Sequence, residues 1–222
     1  MAAGNPKAVA DLFEGLALSG FAMQAARSSR PASCCDHLFS HIMDMTGHRF
    51  NGELQSHGYQ VAIGTLTMCA VFDELFKLDL ENIDVDACVA AWPTLEQEQQ
   101  RALEQFRDFP APRLGYDEIT KKYADAQTVR AELTKLKAQW PEFKARLQGQ
   151  MYSFATMQDL FRRAGAPYDP SHIGVTRQQL KDMFPIVQLM RFRYNVLDLA
   201  KRGGFYDAIV EPVFAEGGAW EI

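Results

Sequence analysis

SSRPASCCDHLFSHIMDM (residues 28–45) and SHGYQVAIGTLTMCAVFDEL (residues 56–75) are the two stretches whose reading decides the fold. The first opens on a break, because Pro31 has no backbone N–H to donate and restrains Arg30. A helix then opens at Ser33, with Asp36 three residues on in an arrangement like a capping box. The second stretch starts another helix near His57 and carries Val61, Leu66, Val71 and Leu75 at helical intervals, so Leu66 and Leu75 are read as core. Gly58 and Gly64 would each weaken that helix in isolation by about 1 kcal/mol relative to Ala. In a packed helix they permit a neighbour to come close.

Helical spacing continues in both directions. Upstream, Leu12, Leu16 and Met23 fall near one face of a helix from about Pro6 to Ala26. Downstream, the segment from Trp92 to Gly149 is more polar, and Asp125 to Gln150 mixes charges with Val129, Leu133, Leu136, Trp140 and Leu147 as an outer amphipathic helix does. AGAPYDP (164–170) is a turn cluster. Thr176 with Gln179 forms another capping box and opens a helix to about Ala200, kinked at Pro185 and ended by Arg202, Gly203 and Gly204. No alternating strand, internal repeat or low-complexity linker interrupts this pattern. The expectation is one all-α domain, a multi-helix bundle over residues 1–222.

The bulk numbers agree with a folded chain. At 222 residues, 47% hydrophobic and 23% charged, it can bury a core and lies far from the disordered regime. A formal net charge of -5, with no basic stripe, gives no reason to expect nucleic acid. MAAGNPKAVADLF has no basic n-region and no uninterrupted apolar run, so no signal peptide is read. Val61 to Phe72 is shorter than the roughly 20 residues a bilayer span needs, so no membrane is expected. Cys34 and Cys35 are adjacent, Cys69 and Cys88 are scattered, and no CxxC pair exists. A reduced, cytoplasmic protein is the default expectation.

His37, His41, His48 and His57 are four of the five histidines, all within one short stretch. His37 and His41 stand at i and i+4, one turn apart on one helical face, and an antiparallel return could bring His57 back against His37. Imidazole is a preferred zinc ligand, and a catalytic zinc takes about three protein ligands. Asp36 and Asp44 flank the pair as ligand or supporting carboxylates. Spacing alone leaves the ordinary alternative open, since two histidines so placed are more often surface or core residues.

The blocks at 28–45 and 56–66, with IGVTRQQL (173–180) and MRFRYNVLDLAKRGGFYD (190–207), resemble the sn-glycerol-1-phosphate dehydrogenases. These share a superfamily with iron-containing alcohol dehydrogenases, glycerol dehydrogenases and dehydroquinate synthases. The resemblance is strongest at both ends and weakest between about 95 and 150. It implies the helical C-terminal domain of that superfamily, with His37 and His57 as metal ligands and His41 as a proton relay in the active site. Ser28 and Arg30 match residues of the phosphate-substrate branch. Arg191 and Arg193 are a second candidate phosphate contact, with helix-surface arginines balancing Asp198 and nearby acids as the favoured alternative. The implied reaction reduces dihydroxyacetone phosphate to sn-glycerol 1-phosphate, a step of phospholipid metabolism. It uses zinc (iron or nickel as alternatives) and NAD or NADP.

Two departures bear on that expectation. No strand followed by GxGxxG is present, so the dinucleotide domain is expected to be missing, with NAD or NADP bound only through it. The family's third metal ligand, an aspartate, lies upstream of the region that this chain matches. Where the family reads Gly-Ala-Glu, this chain has Cys34, Cys35 and Asp36, as added thiolate ligands or as small buried side chains. Three readings stay open: half of a split dehydrogenase, a free-standing metal-binding or helical interaction module, and a structural remnant. The expected partners are a small phosphate substrate and either a second copy or a complementing nucleotide-binding half.

Overall fold

The computed structural model describes residues 4–222. The reading of the first three residues of MAAGNPKAVADLF therefore lies outside the described residues. The chain is helical almost throughout. Helices α1 (Pro6–Ala26), α2 (Cys35–Met45) and α3 (His57–Leu75) are followed by α4 (Val85–Ala91), α5 (Leu95–Gln105), α6 (Leu114–Lys122) and α7 (Ala126–Gln148). Then come α8 (Phe154–Ala164), α9 (Arg177–Asp182), α10 (Phe184–Leu189), α11 (Val196–Arg202) and α12 (Tyr206–Phe214). The only sheet among the described residues is a hairpin of β1 (Arg49–Phe50) and β2 (Glu53–Leu54), which the sequence did not reveal. Two-residue strands are too short to show alternation.

Helix α3 is the central rod. It is buried on nearly every side, as a helix apolar all round must be, and packs against α2, α8 and α12. Leu66 and Leu75 are both in the core. Helix α2 lays Leu38, Phe39, Ile42 and Met43 inward. Trp220, near the C-terminus, closes the far side: its ring is fully buried and its Nε1–H donates to Thr67 Oγ1 at 3.1 Å. The outer helix α7 starts on an Asp125 cap and buries Val129, Leu133 and Trp140.

The structure differs from the sequence reading in three further places. Helix α2 begins at Cys35, not Ser33; Cys34 is its cap residue, and Asp36 Oδ1 accepts from the Cys34 N–H. The helix expected from Thr176 to Ala200 is three helices, with residues 190–195 irregular between α10 and α11. Pro185 sits in the first turn of α10, where its missing N–H costs nothing, so it starts a helix and does not kink one. The third difference is α1, which buries no residue at all. Phe13 is 74% exposed and Leu16 63%, so the apolar stripe read from the sequence is present but largely exposed.

Candidate metal and anion site

Close packing of α2 on α3 builds the first half of the site. Gly64 makes that approach possible, because a Cβ there would collide with the Asp36 backbone carbonyl. The β1–β2 hairpin turns the chain through Asn51 and Gly52, both at positive φ, and returns it along α2. His57 opens α3 behind a Ser56 cap, its ring centroid 5.4 Å from that of His37 and 6.4 Å from that of His41.

Both imidazoles are held through Nδ1. His37 Nδ1 lies 3.0 Å from Asp36 Oδ2, and a carboxylate only accepts, so this nitrogen carries the proton. His57 Nδ1 lies 2.8 Å from Ser40 Oγ, whose single O–H donates to Gln60 Oε1 at 2.7 Å. Ser40 must therefore accept from His57 Nδ1–H. Ser40 and Gln60 are both buried, so this small chain is fixed from behind. In each ring the Nε2 lone pair is left without a protein partner among the described residues, the tautomer and support that metal-binding histidines need. Ser40 escaped the sequence reading, although its place in LFSH puts it on the face of His37.

The donor set fits two positions of a metal's coordination shell. Among the described residues, no group of three or more His, Cys, Asp or Glu side chains is placed to hold a metal ion. Asp44 is exposed, and Asp36 is engaged with His37 and the Cys34 N–H.

Beside the imidazoles is a cavity of about 160 Å³ lined by Ser29, Arg30, Ser33, Cys34, Leu38, His41, Arg191, Arg193, Tyr194 and Asn195. Three arginines and three hydroxyl-bearing residues around one small cavity supply the planar, multi-donor chemistry that an anion's oxygens take. Arg193 Nη1 donates to Ser29 Oγ at 2.7 Å, tying the 190–195 segment to the SSRP turn across the chain. Ser28 does not line the cavity; its Oγ accepts from the Arg30 N–H at 3.2 Å and so shapes the turn. Arg191 and Arg193 are not on a helix surface, and Asp198 pairs with Lys122 instead.

His41 joins the two halves, lining the cavity with its ring centroid 6.4 Å from that of His57. Burial, and then the Arg191 charge, lower its pKa below the usual 6.5. It is therefore mostly neutral at physiological pH, able to take a proton on one ring nitrogen and release one from the other. Arg191→Gln is expected to raise the His41 titration midpoint while leaving it below 6.5, since burial is the larger cause. An NMR titration of the ring protons reads this directly, and a midpoint unmoved by the substitution would place Arg191 away from the ring.

The chain is also similar in sequence to known proteins. A glycerol-1-phosphate dehydrogenase (NAD(P)+) of Methanococcus maripaludis strain C6 is 31% identical over 138 residues, 61% of this chain and 38% of that enzyme. The Staphylothermus marinus enzyme of the same name is 43% identical over 74 residues, 33% of this chain and 20% of its own length. Over these stretches the chain is similar to glycerol-1-phosphate dehydrogenases. The Archaeoglobus fulgidus enzyme adds 39% identity over 88 residues, 39% of this chain and 24% of that protein. The stretch matched is thus under two-fifths of each relative's length. No family model and no solved structure matches the chain. Among the described residues, no helix is long and apolar enough to cross a membrane.

Proposed function

We propose that this chain is the metal- and substrate-binding part of a glycerol-1-phosphate dehydrogenase. Joined to a dinucleotide-binding part, it would reduce dihydroxyacetone phosphate to sn-glycerol 1-phosphate with NADH or NADPH. The observation that carries this reading is the junction of two Nδ1-anchored imidazoles with a cavity of three arginines, through His41. Arg30, Arg191 and Arg193 would hold the phosphate, with Ser29 and Ser33 as hydroxyl donors. That leaves the substrate's carbonyl end directed towards His37 and His57. A metal held there by these two histidines, zinc or alternatively iron or nickel, would supply Lewis-acid polarisation of the carbonyl oxygen. His41 is the group that would relay a proton to that oxygen.

The second reading, a free-standing helical interaction module, has one observation in its favour: the exposed apolar face of α1. Both readings give the chain a partner, and they part over the metal. A zinc titration of the purified chain beside His37→Ala and His57→Ala tests the first. Binding is expected to be lost in both variants, and Ser40→Ala to weaken it about 10–100-fold through loss of support to His57. Zinc binding indifferent to all three substitutions would overturn the assignment of the pair. Addition of a dinucleotide-binding half is expected to bring NAD(P)H oxidation that requires dihydroxyacetone phosphate and both histidines.

A further inference from the structure

A second cavity, of about 240 Å³, lies on the other side of the α2 N-terminus and is unlike the anion site. Its walls are largely apolar and rich in sulfur: Cys34, Cys35, Met68, Cys69, Phe72 and Met151. Cys34 lines both cavities. It is exposed and sits at the non-helical cap position, whereas Cys35 is the buried first residue of α2. The chain holds these cysteines as free thiols. The metal- and phosphate-binding roles assigned above leave this pair of thiols without a task.

We infer that Cys34 and Cys35 form a dithiol site for soft trivalent electrophiles, of which a monosubstituted arsenical is the type, with its organic group lodged in the sulfur-lined cavity. Thiolate is a soft donor and selects soft acceptors over hard ones. Two adjacent thiols satisfy a monosubstituted trivalent arsenic centre, and no third ligand is called for. With phenylarsine oxide, two As–S bonds form, the oxide oxygen leaves as water with the two thiol protons, and arsenic stays trivalent throughout. An apolar cavity of about 150 Å³ already accommodates benzene, so the phenyl ring has room between Met68, Phe72 and Met151. Both thiols line this one cavity from consecutive positions, Cys34 as the cap residue and Cys35 as the first residue of α2.

The test is phenylarsine oxide added to the purified chain, followed by intact-mass analysis after a challenge with excess monothiol or dithiol. The wild-type chain is expected to hold about one arsenical that survives the monothiol and leaves with the dithiol, as a two-thiol chelate does. Cys34→Ser removes an exposed side chain and should fold; its adduct is expected to be stripped by the monothiol. Cys35→Ser is expected to behave the same way, while Cys69→Ser and Cys88→Ser match the wild type. A monothiol-resistant adduct on Cys34→Ser would overturn the inference, and so would loss of capture in Cys69→Ser. None of these readings depends on metal or phosphate binding, so they stand or fall apart from the proposed function.

Discussion

Asp198→Ala is expected to destabilise the fold by about 3–5 kcal/mol, the range for stranding one charge of a buried pair. Asp198 and Lys122 are only 4% and 3% exposed at their side chains and lie 2.7 Å apart. Asp198 Oδ1 also accepts from Gln188 Nε2 at 2.6 Å, and Oδ2 accepts from the Asn195 N–H at 3.0 Å. Truncation leaves the Lys122 ammonium with the Gln188 backbone carbonyl and leaves two N–H donors short of an acceptor. Removing both charges, as Asp198→Asn with Lys122→Met, should recover most of the loss, because the desolvation of an unpaired ion is the larger part of it.

The pH dependence of the single variant follows from the same residues. Burial already lowers the Lys122 pKa below 10.5, with Asp198 opposing that shift. Without Asp198 it falls further. Between that lowered pKa and 10.5 the unfolded chain holds the extra proton, so stability rises with pH through this window. Urea melts at neutral and at alkaline pH should therefore show a penalty that shrinks as pH rises. A penalty of under about 1 kcal/mol at neutral pH, the scale of an exposed pair, would show that Lys122 is solvated in solution.

That pair also explains why part of the site was hidden in the sequence. RFRYN reads as acceptable helix, and local spacing carries the pattern smoothly from Thr176 to Ala200. The break at 190–195 is held by one distant group and one near one: Glu118 accepts from the Phe192 N–H at 2.6 Å, and Arg202 stacks 4.6 Å over the Tyr194 ring. Asn195 then caps α11, with Asp198 returning the hydrogen bond. The Glu118 contact spans a long sequence separation and leaves no local period, whereas the Asn195–Asp198 capping box is a local signal that the helical spacing masked. Their effect is to turn Arg191, Arg193, Tyr194 and Asn195 into the anion cavity. Helices α2 and α3 were legible for the opposite reason, since their apolar spacing and the i, i+4 histidines are local. The exposed face of α1 shows the limit of periodicity: it marks which side of a helix is apolar and leaves open what covers that side.

Gly64→Ala is expected to be one of the more damaging single-methyl changes in the chain. In an isolated helix it would help, by about 1 kcal/mol of propensity. Here the new Cβ would lie 3.0 Å from the Asp36 carbonyl carbon and 3.2 Å from its Cα, backbone atoms that no rotamer change can move. Overpacking of this kind costs typically about 1–3 kcal/mol and occasionally more, which outweighs the propensity gain. Helix α2 must retreat from α3, and Asp36 takes His37 with it because the two side chains are hydrogen-bonded. The His37–His57 separation should widen, so zinc affinity is expected to fall along with the melting temperature. Gly58→Ala is the control on the same helix: its Cβ meets nothing within 4 Å. It should raise stability by about 0.4–1 kcal/mol, chiefly through the unfolded chain. Opposite signs for two identical substitutions six residues apart would tie the site to the close approach of α2 and α3. A Gly64→Ala variant that melts at or above the wild type would mean that the two helices sit further apart in solution.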